Sequence, residues 1–338
     1  MVEQVPVAAM SQIPWFNPQA VDGRIINLMP YWDGQKWYFY HFHEGRALPL
    51  QIVDVSAADY LAKAPQRPTD IRIPFAEIMW QRASFPETLP FILGILADFS
   101  NFSASVSKLR FLHSKRNDIP DLAVTNYART EIEYLLSLSR GVFDLLQELF
   151  SILWRERVQL LDPEKEKIRK RSRMPKSFAD VALQGDDIRS SDEICRKWAL
   201  PETMAIEYTR VAPFFLHLRD WRNRIIHGGT NFGPIFVDDD GFKIRVADKL
   251  FSWANCWSMD DITETGLGSL EPWLAQVIFG SMAICSTLAY TFAQVIRLPE
   301  PIAPDLMVFS RNPTDDALYE LKTIYDKALA QEPRDVIV

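Results

Sequence analysis

The sequence predicts a mainly α-helical protein, in which a helical bundle follows a smaller β-containing N-terminal region. After about residue 85, apolar residues recur at intervals of three and four, which is typical of helices that bury one face. Before that point, aromatic residues and turn signals are dense and no helical period is visible. We expect a β-rich region of unknown role at 1–84, the bundle at 85–310 and a C-terminal helix packed on it at 311–338.

The composition is that of an ordinary globular protein. Its 338 residues are 48% hydrophobic and 24% charged, which excludes disordered and fibrous classes. The three cysteines lie far apart, so neither a disulfide framework nor a zinc site is predicted. The N-terminus has no basic segment followed by an apolar run, so we expect a cytoplasmic protein. Because the formal net charge is −7, nucleic acid can be held only by a local basic cluster.

In the N-terminal region, residues 31–36 contain Asp33-Gly34 and predict a hairpin turn, and the aromatic run 37–43 predicts a strand. Further along, apolar stripes predict helices over about 92–109, 132–153, 203–227, 272–296 and 314–330. Pro213 is expected to kink the third of these helices or to start a new one. Residues 233–246 predict a β-hairpin inserted after that helix, with Asp238-Asp239-Asp240-Gly241 at its turn.

The segment 272–296 has no charged residue and is long enough to span a bilayer. Polar side chains such as Gln276, Ser281 and Gln294 interrupt it, and no basic flank orients it. We therefore expect a buried central helix of the bundle and no membrane partner.

The candidate functional residues lie at the end of the predicted helix 203–227. Four polar side chains gather there: Arg219, Arg222, Asn223 and His227. The apolar stripe places Arg222 one turn after Leu218, where an apolar residue belongs. A guanidinium in a packed seam is costly unless it is paired or faces a polar cavity. The sequence therefore predicts a cationic, hydrogen-bonding patch at this helix end.

Residues 222–227 read Arg-Asn-Arg-Ile-Ile-His, which fits the R-N-x-x-x-H form of the motif in HEPN domains. These domains are helical bundles of prokaryotic toxins, phage-defence proteins and RNA-processing nucleases. The following Gly228 is common there, and long helices before and after the motif, over about residues 87–297, are similar to the family's antiparallel bundle. Nothing in residues 1–80 contributes to the resemblance.

The resemblance implies a metal-independent endoribonuclease, active as a homodimer that joins two motif faces. In that chemistry the ribose 2′-hydroxyl attacks the adjacent phosphate and leaves a 2′,3′-cyclic phosphate. His227 is then the general acid or base, Arg222 neutralises the charged phosphorane, and Asn223 orients phosphate or imidazole. RNA is the implied substrate, an antitoxin the further implied partner, and phage defence or a toxin–antitoxin system the implied setting. No metal or cofactor is implied.

Alternatives remain for each of these residues. The chain is alternatively a non-catalytic HEPN-like dimer that binds a nucleotide or a partner. Arg222 is alternatively salt-bridged to Glu131, Glu133 or Asp144, with His227 as a helix cap. Arg219 is a supporting phosphate contact or a surface residue. The helix C-terminus favours the protonated imidazole of His227, whereas the charge of Arg222 disfavours it, so its protonation state stays open.

Residues 165–176 hold seven basic residues and one acidic residue, a concentration unusual for an acidic chain. This run is either a solvated loop or a strip that docks RNA. In the second interpretation the substrate-binding residues are Lys167, Arg169, Lys170, Arg171 and Arg173. His41 and His43 share a strand face but have no third ligand at a recognisable spacing, so no metal site is predicted.

Overall fold

The computed structural model describes residues 7–157, 159–169, 173–227, 233–248, 251, 253–254 and 256–331. Of residues 224–227 and 331 it describes the backbone alone. Helix accounts for 55% of the structure, which confirms the mainly α-helical class. The described helices are α1 (Val7–Met10), α2 (Pro74–Ala83), α3 (Leu89–Ser114), α4 (Asp121–Glu156), α5 (Pro163–Arg169), α6 (Phe178–Ala182), α7 (Ser191–Trp198), α8 (Glu202–His227), α9 (Leu270–Val295) and α10 (Asp315–Gln331).

The strands are short, and the first five of them lie in the N-terminal region. They are β1 (Tyr31–Trp32), β2 (Trp37–His43), β3 (Arg46–Ile52), β4 (Ala58–Ala62), β5 (Ile71–Arg72), β6 (Gln159–Leu160), β7 (Leu183–Gln184), β8 (Asp187–Ile188), β9 (Phe236–Asp238), β10 (Gly241–Arg245), β11 (Leu267–Ser269), β12 (Ile296–Arg297) and β13 (Met307–Arg311). The expected hairpin turns are confirmed between β1 and β2 and between β9 and β10.

The largest sheet has the strand order β3-β2-β1-β4-β13-β5. Strand β13, which the sequence patterns do not predict, lies between β4 and β5 and is antiparallel to both. The N-terminal sheet is therefore completed by a segment from the far end of the chain. One buried apolar cluster extends from Met10 to Leu321, so the sheet and the helices share a core.

A buried ionic network holds β13 in place. Arg311 donates to both carboxylate oxygens of Asp70, at 2.8 and 2.6 Å, and Tyr60 donates to the same carboxylate at 2.6 Å. Burial alone would raise the pKa of Asp70, but the hydrogen bonds from Arg311 and Tyr60 outweigh it and lower that pKa. The charges are thus paired and hydrogen-bonded, as buried charges must be.

Helices α3, α4, α8 and α9 form an antiparallel bundle. Ser105 on α3 donates to Glu131 on α4, whereas Gly94 lies against Leu145, so these two helices run in opposite directions. The ring pairs Phe143–Phe215 and Trp221–Trp273 belong to the α4–α8 and α8–α9 interfaces. The C-terminal end of α8 consequently lies at the same end of the bundle as the start of α4 and the start of α9.

Helix α9 lies at the centre of the molecule and packs against α2, α4, α8 and α10. By length and composition, α3 and α9 among the described helices could each cross a membrane, with a mean hydropathy of 1.4. The most apolar part of α9 is 72% buried inside the fold, which supports the expected core helix. The corresponding part of α3 is 50% buried.

Pro213 lies inside α8, and the helix continues through it from Glu202 to His227. A proline removes one backbone hydrogen bond of the helix and crowds the preceding turn. The adjacent Phe214 and Phe215 are buried against α4 and α9, and this packing holds both halves of the helix together.

Candidate functional site

The C-terminal half of α8 is anchored by the side chains that it buries. The guanidinium of Arg140, on α4, lies 4.3 Å from the ring centre of Phe215. One turn further, Leu218 is fully buried, and Trp221 packs on Trp273 with ring centres 4.6 Å apart. This packing fixes the rotation of the helix, so Arg222 and Asn223 take defined directions.

The structure corrects the predicted position of Arg222. Its side chain is exposed and does not lie in a packed seam, because the neighbouring Trp221 takes the buried position against α9. Asn223 beside it is half-buried. Within the described part of the chain, Arg222 makes no hydrogen bond or ion pair.

The salt bridges considered for Arg222 are not formed. Glu131 accepts a hydrogen bond from Ser105 and forms an ion pair with Lys108 at 3.3 Å. Asp144 pairs with Arg140 at 2.5 Å on the same helix. No described contact joins Arg222 to Glu133 either. The alternative in which Arg222 is salt-bridged to one of these three carboxylates of α4 is therefore wrong.

Arg219 faces the turn between β7 and β8. It donates to the carbonyl of Gly185 at 2.9 Å and to the Asp186 carboxylate at 2.5 Å. The Asp186 side chain is 87% exposed, so a phosphate could replace it as the partner of Arg219. The supporting role of Arg219 in phosphate binding stays a prediction.

His227 is the last residue of α8, and its side chain lies outside the described residues. The same holds for Gly228 and Gly229, which were expected to end the helix. The backbone of α8 nevertheless carries Arg222, Asn223 and His227 within two turns of one another at the end of the bundle.

Arg129 is a residue of this region that the sequence analysis missed. On α4 it lies two turns before Leu136 and four turns before Phe143, so it shares the α4 face that packs against α8. The antiparallel register then places Arg129 level with the end of α8. Its side chain is half-buried, and its buried Nε has no hydrogen-bond partner among the described residues. This second guanidinium at the same end of the bundle could have been found only from the helix pairing.

The basic run of residues 165–176 divides into three groups. Arg169 is buried, binds both carboxylate oxygens of Glu166 at 2.7 Å and donates to the carbonyl of Trp154. Its predicted contact with RNA is therefore wrong, because its guanidinium is enclosed and fully used. Lys167 is exposed and pairs with Glu164 at 2.8 Å, and Arg173 is exposed without a described partner. Lys170 and Arg171 lie outside the described residues.

Aromatic side chains form the wall beside the helix end. The ring of His217 stacks on Trp253 at 4.8 Å with an angle of 15°, and burial lowers the pKa of His217. His217 is therefore neutral at physiological pH and belongs to the packed wall. Trp221 closes this wall against Phe251 and Trp273.

Across the described residues, no group of three or more His, Cys, Asp and Glu side chains could hold a metal ion. His41 and His43 are both exposed on β2. His113 has its Nε2 2.8 Å from the carbonyl of Asp238 in the β9–β10 turn, where it joins α3 to the hairpin.

Comparisons of the chain with protein-family models, with curated proteins and with solved structures give no match. What the structure itself defines is the class of the fold: a mainly α-helical protein with an antiparallel bundle and a mixed sheet. The resemblance to HEPN domains rests on the motif in residues 222–227 and on the long helices around it, and it stays a prediction.

Proposed function

We propose that this protein is a metal-independent endoribonuclease of the HEPN type, with its active site at the C-terminal end of α8. One observation carries the proposal. Arg222 presents an exposed guanidinium with no described partner, beside Asn223, on the helix that ends at His227. An unpaired guanidinium suits a phosphodiester, because its planar fork can donate two parallel hydrogen bonds to phosphate oxygens.

The proposed reaction needs one proton acceptor, one proton donor and one cation. A base removes the proton of the ribose 2′-hydroxyl, whose oxygen attacks the adjacent phosphorus. The bond from phosphorus to the 5′-oxygen breaks, and that oxygen takes a proton to become a hydroxyl. The products are a 2′,3′-cyclic phosphate and a 5′-hydroxyl. His227 transfers a proton, while Arg222 stabilises the negative charge of the phosphorane.

Two copies of the motif are proposed to meet across a two-fold axis, so that each supplies one imidazole and one guanidinium. One protonated and one neutral imidazole can then serve as acid and base for the same phosphate. The exposed Arg222 of each copy would give such a dimer local positive charge in a chain whose net charge is −7. A role in phage defence or with an antitoxin is proposed from the family resemblance alone.

Cleavage of single-stranded RNA in excess chelator tests the proposal. We expect the wild-type protein to produce fragments with cyclic phosphate ends, and His227→Ala and Arg222→Ala to lose at least about a hundredfold in rate. Arg297→Ala is the matched control, because Arg297 is exposed without a described partner at the opposite end of the bundle. Cleavage that the chelator abolishes, or that both active-site variants retain, would contradict the nuclease. Binding without cleavage would support the non-catalytic alternative.

A further inference from the structure

A cavity of about 520 Å³ lies at the opposite end of the bundle from the proposed active site. Helix α2, the C-terminal end of α9 and the segment before β13 form its walls. Along α9, Tyr290 in this cavity is about 25 Å from Trp273, which packs beside the end of α8. The volume falls within the range of about 300–1,000 Å³ that is usual for small-ligand sites.

The wall formed by the segment before β13 is held rigidly. Gln81 is 2% exposed, donates to the carbonyl of Leu306 at 2.8 Å and accepts from the amide of Ala303 at 3.1 Å. Arg24 links the carbonyls of Gln81 and Glu300 at 2.6 and 2.7 Å. The cavity is therefore preformed, which reduces the entropic cost of binding a ligand.

One cation that lines this cavity has no described partner. Arg82 lines it, is half-buried and has no hydrogen bond or ion pair in the described part of the chain. Behind it, Arg24 is buried with its Nε unsatisfied, and its described hydrogen bonds go to carbonyls alone. Burial and the nearby Arg82 lower the pKa of Arg24 to about 10, with a small opposing effect from Asp22. An anion bound at Arg82 would relieve this repulsion.

The other cation of the cavity is already paired. Arg72 donates to both carboxylate oxygens of Glu77, at 2.8 and 2.7 Å, so these two charges cancel. Arg82 is consequently the group in this cavity that is free to bind an anion. Asp305 is the remaining charged side chain that lines the cavity, and it lies exposed at the rim.

The groups around Arg82 suit a ligand that carries more than a phosphate. Tyr290 is 58% exposed and offers an aromatic face, and Gln294 beside it is exposed with no described hydrogen bond. Asp305 can accept hydrogen bonds from neighbouring hydroxyl groups, as carboxylates do from ribose. An anion, a sugar diol and an aromatic ring occur together in a nucleotide.

We propose that this cavity binds a nucleoside monophosphate, with the phosphate on Arg82, the base against Tyr290 and the ribose hydroxyls on Asp305. Gln294, one turn after Tyr290 on α9, would bind the edge of the base through its amide. The site does not depend on the proposed nuclease activity, because it shares no residue with the end of α8.

Isothermal titration of the full chain with each of the four ribonucleoside 5′-monophosphates tests this site. We expect at least one to bind, and Arg82→Gln to weaken it by about tenfold or more through loss of the charged hydrogen bonds. Tyr290→Leu should weaken binding by about fivefold or more, whereas Tyr290→Phe, which keeps the ring, should not. Tyr290→Leu and Tyr290→Phe change an exposed position. Comparing their affinities therefore tests the site even if the Arg82 variant folds poorly.

Arg222→Gln separates this site from the proposed active site and should leave the affinity unchanged. If Arg222→Gln abolishes binding while Arg82→Gln retains it, the nucleotide occupies the end of α8 and the inference is overturned. Absence of binding by all four nucleotides at about 1 mM also overturns it, since a usable site reaches that affinity. Neither result bears on RNA cleavage, which is measured separately.

Discussion

At the scale of single residues, charge pattern in the sequence does not distinguish a cation that binds a ligand from one that holds the fold. Arg169 and Arg173 belong to the same basic run, yet the first is enclosed by Glu166 and the second is exposed. Arg222 is exposed although the helical period predicted it on the buried face of the helix. The spacing of apolar residues defines that face only to within about one residue. Which side chain of the pair Trp221 and Arg222 is buried depends on the partner helix.

The two arginines of the basic run should therefore differ in their effect on stability. Arg169→Ala removes the buried guanidinium that binds both carboxylate oxygens of Glu166 and the carbonyl of Trp154, and should lower the free energy of unfolding by about 3–5 kcal/mol. Arg173→Ala, the control from the same run, should change it by less than about 0.5 kcal/mol. Urea denaturation followed by circular dichroism measures both. Equal effects of the two substitutions would show that Arg169 is not a structural residue.

At the scale of elements, the long helices could be predicted, whereas the largest sheet could be predicted only as far as its β1–β2 hairpin. Long apolar stripes are local, so α3, α4, α8, α9 and α10 follow from the spacing of residues. Strand β13 pairs with β4, from which it is separated by most of the chain, and nothing near residues 307–311 indicates that pairing. The same limit applies to the candidate site. The motif at 222–227 is local, whereas Arg129 joins it only through the packing of α4 on α8.

The start of α10 should respond to pH. Asp315 is buried, and it accepts hydrogen bonds from Ser103 at 2.9 Å and from the amide of Asn312 at 2.6 Å. Burial raises the pKa of Asp315 to about 6 despite these bonds. The folded state therefore holds a proton that the unfolded state releases between pH 4 and 6, so this group lowers stability as pH rises through that window.

Asp315→Asn, which cannot ionise, should remove that part of the pH dependence. We expect the difference in melting temperature between pH 4 and pH 7 to shift in favour of pH 7 in the variant, relative to the wild type. Asp326→Asn, which changes an exposed carboxyl further along α10, is the control. Identical pH profiles for wild type and Asp315→Asn would mean that this carboxyl titrates normally.

At the scale of the whole molecule, the proposed active site requires two chains. If the site is shared across a dimer, an excess of the double variant Arg222→Ala, His227→Ala should sequester wild-type chains in inactive heterodimers. With a tenfold excess and complete subunit exchange, cleavage per wild-type chain should fall about tenfold. Mixing immediately before the assay, without time for exchange, provides the control. Unchanged activity after exchange would show that one chain carries a complete site.

The position of β13 also bears on how the protein is made. Strands β4 and β5 are synthesised early, but the strand that lies between them is not available until residue 311 has been translated. The edges of β4 and β5 that pair with β13 therefore stay without that partner until the ribosome has produced the entire bundle. A chain that stops before residue 307 would leave this gap open permanently, which makes such a fragment a target for chaperones and for self-association.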